Sequence, residues 1–250
     1  MSRAAANSLR PMNTLIRNRF PVIAVVAVSA VMFVGFARTY YLKFLFDAPP
    51  LSVAAQVHGL LATLWLVLHY TQARLVATHR LDIHRRLGIF AACVGGVLAV
   101  QSMHLAIAGV AAGHAPPGRD PLQFLSVPIG TTLMFTAYLV AALSMRRRRE
   151  WHQRLMFFAS LALIVPAVGR LDTFLMTPLG FPRAVLAIVV TVAFVAWAWW
   201  NDWRKTGRVH AAYLYGGVLL IASVPLRRAI GFMDWWRPVA EWITGTVPIS

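Results

Sequence analysis

His58, His69, His84, His104, His152 and His210 all lie within or at the ends of long apolar runs. Imidazole there can ligate iron, donate a hydrogen bond to a buried ligand, or carry a proton near neutral pH. His58, Trp65, His69 and Gln72 recur at spacings that bring them within about 40° of one line on a helix, so their stripe faces other helices. His58 lies about seven residues past the start of the second apolar run and His104 about seven before the end of the third, roughly 10 Å deep on antiparallel neighbours. Two facing imidazoles at one depth suit the axial positions of a b-type haem, and Arg170 could pair with a propionate. Gln101 and the Arg170/Asp172 pair complete this outer layer. In the bland alternative, the histidines hydrogen-bond across helices and Arg170 and Asp172 neutralise each other. At the inner side His69, Gln72, His84, Arg86, His152, Arg154 and His210 converge, with no histidine at the depth of His69. The interfacial ones could hold a metal, grip an anionic headgroup, or stand solvated at helix starts.

These residues need lipid around the helices that carry them. The 250 residues are 59% hydrophobic and 13% charged, too few charges to cover so much apolar surface in water. Apolar runs near residues 21–46, 51–75, 87–111, 123–145, 153–178, 183–203 and 210–231 are each long enough to cross a bilayer. The expected fold is all-α, a single transmembrane bundle of about seven spans over 21–231, between a basic tail (1–20) and an interfacial one (232–250). Arg227 and Arg228 make the seventh span the weakest, and Trp235, Trp236 and Trp242 suit an interface. The N-terminal tail and the connections after the second, fourth and sixth runs carry most of the 24 Lys and Arg, which places the N-terminus in the cytoplasm of a bacterial inner membrane.

The formal charge of +16 is spread between apolar runs, not along one basic face, so membrane lipid and not nucleic acid is the expected partner. One cysteine excludes a multi-thiolate metal site, and no phosphate loop, HExxH or paired carboxylates are present. Arg80-x-x-x-His84-x-Arg86-Leu87 recurs as Arg148-x-x-x-His152-x-Arg154-Leu155, each copy opening a run.

His58-Gly59, Gln72, His84-Arg85-Arg86-Leu87-Gly88, His152-Gln153-Arg154-Leu155-Met156 and Arg170-Leu171, in that order, resemble the uncharacterised bacterial domain-of-unknown-function family 2306. That resemblance implies a multi-span membrane protein with a site shared by His58, His84, His152 and Arg170, and it implies no reaction. His69 and His104 fall outside the matched positions. The helix-opening pieces are more distantly similar to transmembrane b-type cytochromes and to proteins that assist oxidase assembly. The expected function is therefore haem-associated, with haem b as cofactor and a redox partner or oxidase complex beside it. The alternative is a non-redox protein that binds a lipid, quinone or other small molecule, or is purely structural.

Overall fold

A computed structural model describes residues 19–171 and 185–245, and among them regular structure is entirely helical. Helix α1 (Phe20–Phe36) continues into one π-helical turn, Ala37–Tyr41, and a 3-10 turn follows at Lys43–Leu45. Helix α2 (Val53–Ala77) starts at Ser52, whose Oγ accepts from the Ala55 N–H (3.2 Å) and so fills one of the vacant donors of the first turn. Helix α3 spans Leu81–Ala111. Helix α4 (Pro121–Ser144) pairs a proline in its first turn with Asp120 as cap, Oδ1 accepting from Gln123 (2.9 Å). Helices α5 (Arg149–Ala162) and α6 (Ile164–Leu171) form one span broken at Leu163. Pro166 explains the break: it offers no N–H to the Ala162 carbonyl, and its ring crowds that oxygen. Helices α7 (Val185–Thr206), α8 (Ala211–Ile230) and α9 (Trp236–Thr244) complete the described chain.

Six of these segments are long and apolar enough to cross a membrane: α1 with its π turn, α2, α3, α4, α5 with α6, and α7. They make this a multi-pass membrane protein. Helix α8 is the seventh expected run; its paired arginines lower its hydropathy, yet it packs against α4, α5 and α7 with Gly216 and Leu220 buried. The nine-residue α9 is too short to span, and it packs on α3 and α4 with Trp236 Nε1 donating to the Leu122 carbonyl (2.9 Å). The basic tail 1–18 lies outside the described residues.

The outward faces suit lipid. On α3, Ile89 and Val100 are each 72% exposed, with Phe90 and Val97 beside them. The core runs through Trp65, Phe135, Phe158, Leu161 and Leu220, and the Trp65 ring meets Phe135 edge-on at 5.2 Å. The up-and-down order gathers the start of α1 and the α2–α3, α4–α5 and α7–α8 connections at one end, called here the arginine-rich end. The π turn, the start of α2, the end of α6 and α9 lie at the opposite end.

Candidate functional site

The α2 stripe turns into the bundle. Trp65 and Gln72 are buried, His69 is bonded to α5, and the Nδ1 of His58 is enclosed. Ser160 on α5 accepts from Trp65 Nε1 (3.0 Å) and lies 2.6 Å from His69 Nδ1. Trp65 takes one lone pair of Ser160, and His69 Nδ1 either accepts the hydroxyl proton or donates to the second lone pair, so Ser160 holds Nδ1 in either tautomer. Nε2 is the ring nitrogen that Ser160 does not hold. A serine on α5, which the histidine pattern did not flag, supplies the partner that His69 lacked among histidines.

His69 lines the inner wall of a cleft of about 260 Å³ at the arginine-rich end, between α1, α2, α5, α7 and α8. Phe20, Phe157 and Tyr213 form its aromatic walls, and Arg154, Asn201, Asp202 and Lys205 its polar rim. Arg154 is nearly enclosed and held twice: NH2 contacts Asp202 Oδ1 at 2.6 Å, and NH1 pairs with Glu150 one turn earlier. Its guanidinium also lies over the Tyr213 ring at 5.1 Å. The second oxygen of Asp202 accepts from the His210 N–H (2.9 Å), tying α7 to the start of α8. His210 then caps α8 itself, Nδ1 accepting from the Ala212 N–H (3.1 Å). Burial first, and the Arg154 charge second, hold the His210 imidazole below its ordinary pKa.

Two more histidines stand next to this cleft. His152 donates from Nδ1 to the Ala142 carbonyl (2.8 Å), which closes the α4–α5 turn. Gln72 places its amide nitrogen on His84 Nδ1 and accepts from the Gly88 N–H (2.9 Å) with its oxygen. His152 acts electrostatically on both His69 and His84, so the three occupy one neighbourhood between α2, α3 and α5. Each has one ring nitrogen committed to the protein. Among the described residues, no three of His, Cys, Asp and Glu gather as a metal ion would need. Arg86 is exposed, whereas Arg154, its counterpart in the repeated sequence, is buried. The repeat therefore copies the helix start but not the surroundings.

At the opposite end the expected pair separates. His104 is exposed and shares the outward face of α3 with Val97 and Val100, while Gln101 turns inward and donates to the Ala54 carbonyl (3.1 Å). Matching depth fixed height on the helix but not direction around it. His58 has Arg170 as its charged neighbour, and Arg170 lies over the Phe36 ring at 4.2 Å and donates to the Pro166 carbonyl (3.0 Å). Asp172 lies outside the described residues. The positions that carry the family resemblance thus fall into two loci, His84 with His152 at one end and His58 with Arg170 at the other.

A bis-histidine haem needs two imidazoles on opposite sides of one planar void. His104 turns outward, and the cleft at the arginine-rich end is lined by one imidazole, that of His69. Neither of these two places sets two imidazoles face to face.

Sequence reasoning also passed over Arg227. It is 3% exposed, wedged between α8 and α4, with Nε donating to the Ser223 carbonyl (2.9 Å), NH1 to Thr131 Oγ1 (2.6 Å) and NH2 to Ser223 Oγ (2.8 Å). The serine one turn earlier was the available signal. Compared with models of known families, with curated proteins and with solved structures, the chain matches none.

Proposed function

We propose that the protein is a membrane-embedded binding protein whose cleft at the arginine-rich end takes the neutral, acceptor-bearing ring of a quinone-type amphiphile. The observation that carries this reading is His69, held at Nδ1 by Ser160 and lining a cleft walled by Phe20, Phe157 and Tyr213; its Nε2 donates when Nδ1 accepts the Ser160 proton. Charge favours a neutral head over an anion. Arg154, the most deeply placed cation there, is already matched by Asp202 and Glu150, so an anion would compete with two carboxylates. The size also suits one ring, since ligand pockets start at roughly 300 Å³. In a bacterial inner membrane with the arginine-rich end in the cytoplasm, as the distribution of Lys and Arg favours, a tail would leave the cleft into the inner leaflet.

The haem-associated reading, as electron carrier or oxidase-assembly factor, has less support because its histidines do not meet across one void. Both readings are tested on purified protein. Titration with a short-tailed benzoquinone should quench tryptophan fluorescence saturably, since Trp65 adjoins His69. His69→Phe should abolish the saturable phase, Ser160→Ala should weaken it, and Arg86→Ala should leave it unchanged. Equal binding by His69→Phe sinks the quinone reading. A Soret band that shifts on reduction and disappears in His58→Ala or His152→Ala would favour haem instead.

A further inference from the structure

At the end of the bundle away from the cleft, three polar groups lack, among the described residues, the partners that burial normally requires. His58 Nδ1 on α2 and Thr39 Oγ1 on the π turn are enclosed with no hydrogen-bond partner, and they are two of the three such side-chain atoms among the described residues. The third group is the Arg170 guanidinium, which has no carboxylate within ion-pair distance among the described residues. Among the described residues its one hydrogen bond, to the Pro166 carbonyl, uses one of its five donors.

The backbone explains why these groups lie together. Phe36, under Arg170, is the last residue before the π turn, and Thr39 follows three residues on. The Leu42 N–H bonds to the Ala37 carbonyl (2.8 Å), five residues back. That wider turn draws carbonyls away from the positions where a helical threonine finds its acceptor. The next residue, Tyr40, lies against Gly59, beside His58, where the absence of a Cβ admits its ring. Nearby, Gln101 already occupies the Ala54 carbonyl, one turn before His58. Helices α1 (through its π turn), α2 and α6 thus present a hydroxyl, an imidazole and a cation at one end of the bundle, the first two without a hydrogen-bond partner and the third without a carboxylate among the described residues.

We propose that His58, Thr39 and Arg170 form a second site, one that binds a compact oxyanion: the phosphodiester of an anionic lipid or free phosphate. Arg170 offers paired N–H donors in the planar array that suits such an oxyanion, and the Phe36 ring beneath keeps that array in place. Thr39 adds an O–H, and His58 an N–H when Nδ1 carries the proton. His58 lies five residues past the start of α2, roughly 8 Å below the helix end, the level at which a lipid phosphate meets the acyl region. This site does not depend on the quinone reading, which concerns the opposite end.

Native mass spectrometry of delipidated full-length protein tests the proposal, with phosphatidylglycerol, phosphatidylcholine and inorganic phosphate as separate probes. Wild type should retain phosphatidylglycerol or phosphate in preference to phosphatidylcholine. Arg170→Gln should weaken that binding by about tenfold or more, and Thr39→Val, which keeps the shape, should weaken it by a smaller factor. Arg170→Lys should recover part of it, since a point charge lacks the paired donors. Retention by phosphatidylglycerol alone assigns the lipid as source, and competition by inorganic phosphate alone assigns the free ion. If the wild type binds neither probe, or if Arg170→Gln and Thr39→Val both bind as wild type does, the proposal is overturned. Thr39→Val keeps the test decisive should Arg170→Gln fail to fold.

Discussion

Arg154 and Arg227 are both buried arginines on bundle helices, and they are stabilised in opposite ways. At the arginine-rich end, Arg154 lies between Asp202 and Glu150, carboxylates from its own helix and from α7. Near the other end, Arg227 has three hydrogen bonds, all to the uncharged oxygens of Thr131 and Ser223. A chain with eight acidic residues and twenty-four Lys and Arg cannot match every buried cation with a carboxylate. Here two are spent on Arg154, where α5, α7 and α8 meet. The contrast separates a fastening that depends on its counter-charges from one that relies on hydroxyl and carbonyl dipoles.

The largest effect should follow from removing one counter-charge. Asp202→Ala leaves Arg154 enclosed beside Glu150 alone and removes the acceptor of the His210 N–H, so the loss should be about 3–5 kcal/mol. Arg227→Met should behave differently, within about 1 kcal/mol of wild type or more stable, because Thr131 and Ser223 can satisfy their hydroxyls on carbonyls of their own helices. Unfolding midpoints in mixed micelles measure both. Equal losses in the two variants would end the distinction between the two kinds of fastening.

A smaller effect tests how Arg227 gains entry. A Cβ on Gly130 of α4 would lie 2.9 Å from the Arg227 Cβ, a contact between helix-anchored atoms that no side-chain rotation relieves. Gly130→Ala should therefore push α4 from α8 and cost about 1–3 kcal/mol. In an Arg227→Ala background the same substitution should cost no less, because the Cβ remains. In an Arg227→Gly background the cost should largely vanish. Should the cost persist there, the close approach of these two helices is not what Gly130 serves.

The spans were legible because lipid imposes a length and a composition: α2, α4 and α8 begin and end within two residues of their apolar runs, whereas residues 172–178 of the fifth run and 183–184 of the sixth lie outside the described residues. Trp65 and Gln72 were placed correctly for a similar reason: helical period alone puts a polar stripe on one face, and lipid forces that face inward. His104 was not legible. Its depth follows from counting residues, but whether it meets α2 or the acyl chains depends on the rotation of α3, which its neighbours set. Ser160 and Asp202 were missed on the same ground. Each acquires a role only from residues far along the chain, His69 and Trp65 for the first, Arg154 and His210 for the second. The repeated Arg-x-x-x-His-x-Arg-Leu segment makes the point within one sequence, since Arg86 meets solvent and Arg154 meets Asp202.

The smallest predicted effect concerns the link between the Arg154 cluster and the start of α8. His210 caps that helix only while Nδ1 is unprotonated and accepts from the Ala212 N–H. Burial and the Arg154 charge hold its folded-state pKa below the ordinary value of about 6.5, and the opposing pull of Asp202 and Glu150 is outweighed. A depressed folded pKa means that the folded protein resists protonation. The contribution is whole above the unfolded value, declines as the pH falls below it, and is gone once the pH drops through the folded value. The protection of the Ala212 and Tyr213 amides, taken relative to intrinsic exchange at each pH, should therefore fall between pH 8 and pH 5, with the α4 cap at Gln123 as internal reference. His210→Asn keeps a cap acceptor that does not titrate in this range, and should remove that loss of protection. If the asparagine variant still shows it, the proton acts elsewhere in the Arg154 cluster, on a second titrating group beside Arg154, Asp202 and Glu150.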